Sequence, residues 1–223
     1  MKNIVISLGG SVVSADGGID TKFLEGLSKL LGQRLRDNRF AITCGGGGTS
    51  KLYVEAARKF GASEYAKDEI AMATTWANAL LVKAALGPDR CSFAGSVAEA
   101  SNMIKDTPIV VLGGIMPGIT TDTVAVLAAE SMGAKLLVNI SRVGGIYDQA
   151  NKRKVFQSLN YNKLVSMAIS KDPRRARSNF IFDVIASKLA ARSGIELHFI
   201  GTDLHDLGCV LDGERHTGTV VKA

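Results

Sequence analysis

The chain has 223 residues, 46% of them hydrophobic and 22% charged, and its 27 lysines and arginines exceed its 21 aspartates and glutamates to give a net charge of +6. This composition excludes a disordered chain or a fibrous repeat, and the length allows one large domain or two small ones. No apolar run reaches the roughly 18 residues that cross a bilayer, and glycines interrupt the first apolar stretch before a signal-peptide core is complete. We therefore expect a cytoplasmic protein without a membrane partner.

Strands and helices alternate along the chain. The sequence predicts strands over residues 4–8, 40–44, 109–112, 136–140, 196–200 and 218–222. Between them it predicts helices over 20–35, 68–86 and 180–192. Two further helices are predicted, one that Thr49 or Ser50 caps and that ends at 60, and one that Thr120 or Thr121 caps and that ends at 132. Residues 152–171 are polar and carry no predicted element. Continuous apolar strands that alternate with helices indicate an α/β fold with a parallel sheet covered on both faces.

The cysteines and the basic residues point away from structural metals and nucleic acids. Cys44, Cys91 and Cys209 lie far apart without a CxxC pair, which fits neither a zinc site nor a disulfide framework, so we expect buried free thiols and no metal ligands. Basic charge is concentrated only at residues 171–177 (KDPRRAR), and aromatic residues make up 6% of the chain. An anionic small ligand explains the net charge at least as well as nucleic acid, and we predict no nucleic-acid partner.

The 24 glycines gather in clusters, each of which follows a predicted strand: Gly9-Gly10, Gly45–Gly48, Gly113-Gly114 and Gly144-Gly145. Parallel strands end at one edge of a sheet, where glycine lets backbone N–H groups approach an anion and where helices begin. Any single pair is explained as well by a tight turn, but four clusters at equivalent positions predict a phosphate-binding cradle. A Walker loop is absent, and a dinucleotide motif is only half present because Ser50 stands at the place of its third glycine.

Several segments in order resemble one known family. They are SLGGS at 7–11, GGGGTSKLY at 45–53, DEIAMATTWANALL at 68–81, GGIMPGITTDTVAVLAAE at 113–130, VGGIYD at 143–148, FDVIASKLAARSGI at 182–195 and GTVV at 218–221. These segments are similar to the uridylate kinases of archaeal type, which belong to the amino-acid kinase family. PGITTD, at residues 117–122, is the most specific of these elements.

The resemblance implies a fold, a reaction and an assembly. The fold is a three-layer α/β/α sandwich with a central, mostly parallel sheet, and residues 1–223 form one domain with an acceptor lobe over about 1–133 and an ATP lobe over about 134–223. The reaction moves the γ-phosphoryl group of Mg-ATP onto UMP, which gives UDP and ADP. The implied partners are these two nucleotides and further copies of the chain in a hexamer.

The resemblance also implies site residues. For ATP they are Gly9, Gly10, Ser11, Gly47, Lys51, Ser141 and Tyr147. For UMP they are Gly46, Asp68, Pro117, Gly118, Ile119, Thr120, Thr121 and Asp122, and the catalytic group comprises Gly9, Gly10, Lys51, Asp122 and Asp183. By its own chemistry Asp122 can orient a cation or a Mg²⁺-bound water, whereas a helix cap is the alternative for the segment 120–122 and for Asp68 and Asp183.

The chain departs from the family mainly in the nucleotide loops. Gly48 stands where a basic residue is usual, Lys51 and Trp76 where arginines are usual, Gly144 where an aspartate is usual, Ala150-Asn151 where Asp-Pro is usual, Arg175 for a lysine and Arg177 for a glycine. The charges lost at Gly48, Gly144 and Ala150 should weaken contacts with ATP. Arg174, Arg175 and Arg177 could compensate by folding over the phosphates. Trp76 is expected in the core or at a subunit contact ahead of a base-stacking role.

Three functional hypotheses remain open from the sequence. The first is an ATP-dependent UMP kinase. The second keeps the fold and the ATP site but uses another acceptor, such as a carboxylate, a carbamate or a phosphate ester. The third is a nucleotide-binding regulator or storage protein in which the changed loops have lost turnover.

Overall fold

The structure is a computed structural model that describes residues 1–15, 18–148, 154–170 and 182–223. The strands in these ranges are β1 (Lys2–Leu8), β2 (Ser14–Ala15), β3 (Gly18–Ile19), β4 (Asn38–Cys44), β5 (Cys91–Ala94), β6 (Ile109–Leu112), β7 (Leu136–Ile140), β8 (Ser158–Asn160), β9 (Glu196–Ile200) and β10 (Thr219–Lys222). The helices are α1 (Gly10–Val13), α2 (Thr21–Gly32), α3 (Gly47–Lys59), α4 (Glu64–Leu86), α5 (Val97–Met103), α6 (Thr121–Met132), α7 (Tyr161–Ser170), α8 (Val184–Ser193) and α9 (Leu204–Asp212). The basic run 171–177 and Ala150-Asn151 lie outside the described residues.

One eight-stranded sheet forms the centre of the molecule, in the order β5-β6-β4-β1-β7-β9-β10-β8. Its neighbouring strands run parallel except β10, which pairs antiparallel with β9. Strands from the first 133 residues occupy one half of the sheet, and strands from the remainder occupy the other half. The predicted mostly parallel α/β sheet is confirmed.

Helices cover both faces of the sheet. Helices α5, α6, α7 and α8 share one apolar core with the sheet, while α2, α4 and α9 share the other, and α3 packs on α4. Because side chains alternate along a strand, Ile4, Ile6 and Leu8 of β1 point into the second core and Val5 points into the first. Truncating a fully buried side chain such as Ile6 to alanine should cost about 2–5 kcal/mol of folding free energy.

Two predicted helix starts are wrong. Helix α3 begins at Gly47, with Gly46 at the cap position, ahead of the predicted caps Thr49 and Ser50. Helix α4 begins at Glu64, because the Ser63 hydroxyl accepts a hydrogen bond from the Ala66 N–H at 3.2 Å. Asp68 therefore lies in the second turn of α4, where a cap role is excluded.

The sequence analysis did not predict several short elements, which are α1, β2, β3, β5, α5, β8, α7 and α9. Helix α7 lies within the polar stretch and buries only Leu164, Met167 and Ala168. Helix α8 begins at Val184 after the cap residue Asp183, and residues 180 and 181 of the predicted helix lie outside the described ranges. The three cysteines are buried and free, as expected. None of the helices that the structure describes is long and apolar enough to cross a membrane.

Candidate active site

The glycine clusters meet at one edge of the sheet. Strands β6, β4, β1 and β7 are consecutive neighbours and parallel, so their carboxyl ends lie side by side, and a glycine cluster follows each of them. Two of these loops touch through their backbones: a Cβ atom on Gly10 would lie 2.0 Å from the Gly47 nitrogen, and one on Gly47 would lie 2.3 Å from the Gly10 oxygen. Gly47 also has a φ of +64°. Close approach, more than tight turning, explains why glycine occupies both positions.

Not every amide of the glycine loops is available to an anion, because two of them are hydrogen-bonded to the ends of neighbouring strands. The Gly9 N–H donates to the Ile140 oxygen at 2.9 Å, and the Gly45 N–H donates to the Leu8 oxygen at 3.0 Å. Both bonds extend the sheet by one residue. The first-turn amides of α3, which begins at Gly47, have no acceptor within their helix, and they lie at its positive end.

Side chains from other elements brace these loops. The buried Asn78 amide of α4 donates to the Gly45 oxygen at 2.7 Å. The Ser14 and Thr49 hydroxyls are hydrogen-bonded to each other at 2.8 Å, and Arg142 Nε donates to the Ser11 oxygen at 2.7 Å. The cradle is therefore held from several directions, while the Lys51 side chain beside it on α3 is exposed.

Asp122 lies beneath this edge between two adjacent strands. Ser7 of β1 and Asn139 of β7 are register partners, and their side chains donate to Asp122 Oδ1 at 2.6 and 2.9 Å. The pKa of Asp122 is raised to about 7, chiefly by burial and also by the nearby Asp183 charge, while the hydrogen bonds from Ser7 and Asn139 oppose the shift. Asp122 thus points into the sheet and does not cap its helix.

Thr120 and Asp183 supply the helix caps and join two helices. The Thr120 hydroxyl caps α6 by accepting from the Thr123 N–H at 3.1 Å, and it donates to Asp183. Asp183 accepts from the Ile185 and Ala186 amides at 2.8 and 2.9 Å, which caps α8, and from the Thr123 hydroxyl at 3.0 Å. The cap interpretation is correct for Asp183, and the same carboxylate ties the start of α6 to the start of α8.

The loop over residues 113–120, called here the 113–120 loop, is attached to α4. Asp68 Oδ2 accepts a hydrogen bond from the Gly118 N–H at 2.9 Å. Pro117 and Ile119 flank this glycine, and Thr121 opens α6 directly after the loop. The structure therefore brings Asp68 and the PGITTD segment together, although 50 residues separate Asp68 from Gly118.

Ser141 and Tyr147 lie beyond the end of β7. The Ser141 N–H donates to the Ile200 oxygen at 3.1 Å, and the buried Ser141 Oγ has no hydrogen-bond partner in the described part of the chain. Tyr147 forms an isolated bridge with Val155. These residues belong to the β7–β9 side of the edge, whereas Asp68 belongs to the β4–β6 side.

Sequence reasoning missed Ser7 and Asn139 as members of the site. Both side chains are nearly buried, at 2% and 4% exposure, within otherwise apolar strands. A polar residue at an inward-facing position of an apolar strand is the signal that could have found them. Asn139 Oδ1 and Thr43 Oγ1, on the two strands that flank β1, are buried without a partner among the residues described.

Comparisons with known proteins identify relatives along the whole chain. Residues 2–201 match the model of the amino acid kinase family. The uridylate kinase of Thermoplasma volcanium is 35% identical over 99% of this chain and 98% of that protein, and the uridylate kinase of Pyrococcus abyssi is 37% identical over 98% and 99%. The crystal structure of uridylate kinase from Archaeoglobus fulgidus matches with a TM-score of 0.85 at 30% identity and covers 99% of this chain and 100% of that one.

Proposed function

This chain belongs to the amino acid kinase family, and from that membership we propose that it transfers the γ-phosphoryl group of ATP to UMP, giving UDP and ADP. It is a nucleoside monophosphate kinase. The observation that carries the assignment is the convergence of four glycine loops at one sheet edge, in a chain whose full-length relatives are uridylate kinases. A cradle assembled from several loops suits two phosphate chains placed end to end.

The two substrates divide the edge between them in this proposal. ATP takes the side of β1, β7 and β9, with contacts from Gly9, Gly10, Ser11, Gly47, Lys51, Ser141 and Tyr147. UMP takes the side of β4 and β6, with contacts from Gly46, Asp68 and residues 117–122. Within this range Asp122 reaches towards the ATP side, since it bonds Ser7 of β1 and Asn139 of β7. The unpartnered Ser141 hydroxyl and the Asp68–Gly118 hydrogen bond support this division. We further propose that the acceptor lobe spans about residues 1–133 and the ATP lobe about 134–223.

Alignment and electrostatics drive the transfer. A phosphate oxygen of UMP forms a bond to the γ-phosphorus while the bond from that phosphorus to the β,γ-bridging oxygen breaks, and ADP leaves with the electron pair. Charge spreads over the three equatorial oxygens of the transferred group. The free amides at the start of α3 and the exposed Lys51 ammonium are the donors that offset this charge without reorganising.

The donor set at the edge suits Mg²⁺. Within the described ranges no group of three or more His, Cys, Asp or Glu side chains could hold a metal by itself, so a cation here shares its ligands with bound phosphates. The Asp122 carboxylate, and Asn139 Oδ1, which has no partner among the described residues, are the hard oxygen ligands this ion prefers. When bound with ATP, Mg²⁺ neutralises charge on the β- and γ-phosphates. Asp122 would orient it.

Following ADP release with Mg-ATP and a panel of nucleoside monophosphates tests the reaction. We expect turnover that depends on UMP and is far weaker with other monophosphates. Turnover with a carboxylate, a carbamate or another phosphate ester in place of UMP would refute the acceptor assignment. ATP-dependent thermal stabilisation without turnover on any acceptor would indicate a binding protein instead of a kinase.

The outer face of α3 and α4 supports a homo-oligomer. Its exposed apolar side chains are Leu52, Tyr53, Phe60, Tyr65 and Leu80, and Phe60 is 88% exposed. Apolar surface of this kind marks contacts between chains, and we propose that copies of the chain associate through it into the hexamer. Phe60→Asp should shift the sedimentation coefficient to smaller species. Ile169→Asp, on exposed α7, is the matched control and should leave it unchanged.

We also propose a cytoplasmic location. All three cysteines are free and buried, with no disulfide between them. Free thiols are usual in reducing compartments, where glutathione and thioredoxin hold them reduced. Fractionation of the native host should therefore recover the protein with cytoplasmic marker enzymes, and recovery with a membrane or secreted fraction would contradict the location.

A further inference from the structure

Helix α4 grips the 113–120 loop at separate points along one face. Asp68 accepts from the Gly118 N–H at 2.9 Å, and two turns later Thr75 and Trp76 bind Gly114. Residues seven or eight apart lie above one another on a helix. The loop that approaches the UMP site is therefore held by one rigid element of 23 residues.

Both polar groups of Gly114 are fixed by consecutive residues of α4. The Gly114 N–H donates to Thr75 Oγ1 at 2.7 Å, and the Gly114 carbonyl accepts from Trp76 Nε1 at 2.7 Å. The Thr75 hydroxyl donates its own hydrogen to the Met72 carbonyl at 2.6 Å, so its lone pairs are left to receive the Gly114 N–H. The position of this residue is thereby set from both sides.

The 113–120 loop packs tightly against α4 at Gly113. A Cβ atom on Gly113 would lie 2.5 Å from both Thr75 Oγ1 and Trp76 Cδ1. The Trp76 residue nevertheless keeps 38% of its surface exposed. Trp76 is therefore neither fully buried in the core nor free of contacts at the surface, because its indole N–H is hydrogen-bonded to the loop.

We propose that Trp76 is a positioning residue for the acceptor, which acts through the Gly114 carbonyl to hold the 113–120 loop at the distance that UMP requires. The inference rests on the proposed function for its substrate and on the α4 contacts for its mechanism. The indole is neutral, so its N–H fixes the orientation of the Gly114 carbonyl without adding charge to the site. Its loss should therefore weaken UMP binding and leave ATP binding intact.

Matched substitutions separate the hydrogen bond from the ring and from the surface. Trp76→Phe keeps an aromatic ring and removes the donor, and Thr75→Val keeps the shape and removes the acceptor. Leu80→Ala is the control, since Leu80 lies one turn further along α4 and is 51% exposed. We expect Trp76→Phe and Thr75→Val each to raise KM for UMP about fivefold, with kcat and the KM for ATP changed less than about twofold. Trp76→His, which retains a ring N–H, should restore part of the loss.

The double variant gives a further criterion. Because both side chains act on one residue, Trp76→Phe and Thr75→Val together should raise KM by less than the product of their separate effects. An effect of Leu80→Ala equal to that of Trp76→Phe, with a changed sedimentation coefficient in both, would show that the tryptophan acts through assembly and would overturn the proposal.

Hydrogen exchange decides the mechanism without any substrate. In the ligand-free protein, the amides of residues 114–116 and 118–121 should exchange faster in Trp76→Phe and Thr75→Val than in the wild type and in Leu80→Ala. Unchanged exchange in Trp76→Phe would overturn the positioning role even if KM rises. If the wild type fails to phosphorylate UMP while exchange still accelerates in the variants, the proposed function fails and the role of Trp76 in holding the loop stands.

Discussion

Two buried titratable clusters lie towards opposite edges of the sheet, and they differ in how completely their polar atoms are paired. At the carboxyl edge, Asp122 receives hydrogen bonds from Ser7 and Asn139, but Asn139 Oδ1 and Thr43 Oγ1 have no partner in the described ranges. Towards the amino edge, His198 of β9 lies 2.9 Å from His216 and 2.9 Å from Glu196, and it lines a cavity of about 1160 Å³.

The histidine cluster forms a directed chain of hydrogen bonds. The Gly218 N–H donates to His216 Nδ1 at 3.1 Å, so His216 carries its proton on Nε2 and donates to His198 Nδ1. His198 therefore carries its proton on Nε2 and donates to Glu196. Each ring nitrogen has a defined role, and both rings are neutral.

The difference separates stability from function. A cluster whose ring nitrogens are all hydrogen-bonded fixes its neighbours, here the antiparallel pairing of β10 with β9. A cluster with unpaired acceptors and a carboxyl whose pKa lies near neutrality remains responsive to a ligand or a cation. Within the strands that the structure describes, the two buried side-chain oxygens without a partner, Thr43 Oγ1 and Asn139 Oδ1, therefore lie towards the proposed functional end of the sheet.

The largest expected effect is on Asp122. Asp122→Asn should lower kcat/KM by about 100-fold or more, because it removes the carboxylate that would orient Mg²⁺ against the phosphates. At high pH the same substitution should raise the free energy of unfolding relative to the wild type. The folded-state pKa of about 7 lies above the ordinary aspartate pKa of 3.8, so wild-type stability falls as pH rises between these values, and the variant lacks this fall.

Steady-state kinetics and urea unfolding at pH 5 and pH 8 measure both effects. Asp37→Asn, at an exposed carboxylate, is the matched control and should change neither quantity. Wild-type turnover in Asp122→Asn would contradict the functional role of the Asp122 cluster.

His216→Ala should cost about 1–3 kcal/mol of folding free energy and leave kcat/KM within about twofold of the wild type. The substitution leaves the Gly218 N–H without its acceptor and His198 Nδ1 without its donor. His205→Ala, at the exposed third histidine of the chain, should change stability by less than about 0.5 kcal/mol. Urea unfolding of the three proteins gives the ranking, and equal losses in both variants would contradict the special role of the chain of bonds.

Thr43→Val should stabilise the protein slightly, by up to about 1 kcal/mol. The Thr43 hydroxyl is buried without a partner among the described residues, so an isosteric methyl group removes a desolvation cost. Thermal unfolding measures the shift. A clear loss of stability would mean that this hydroxyl is paired, and that the two clusters do not differ as described.

The smallest expected effect is the pH dependence of the histidine cluster. Burial lowers the pKa of both His198 and His216. The unfolded chain then binds protons more readily, so stability is full above the unfolded-state pKa of about 6.5 and is lost as pH falls below it. Unfolding curves between pH 7 and pH 5 should show this slope in the wild type, and it should be shallower in His216→Ala.

The sheet and its glycine edge could be predicted because their signals are local. Apolar runs such as 109–112 are buried on both faces, and a glycine pair directly follows. The links between helices could not be predicted in the same way, because Thr120 and Asp183 are 63 residues apart and only the assembled fold brings them together. Helix α7 was not predicted because its three buried side chains are few and lie among polar residues.

The family match supplied residue names but not their contacts. Asp68, assigned to the acceptor, proves to hold the Gly118 amide, and Gly9, assigned to phosphate, uses its N–H within the sheet. Trp76, expected in the core or between subunits, bonds the backbone of a loop. Such roles depend on distances that no single segment of sequence encodes.

The interlocked backbones of Gly10 and Gly47 have a consequence for redesign. Neither loop can accept even a methyl group unless the other retreats, since the shortest separations involve main-chain atoms that cannot rotate aside. An engineer seeking a new specificity should therefore leave this pair untouched and diversify the 113–120 loop, whose anchors on α4 are side chains and can be exchanged one at a time.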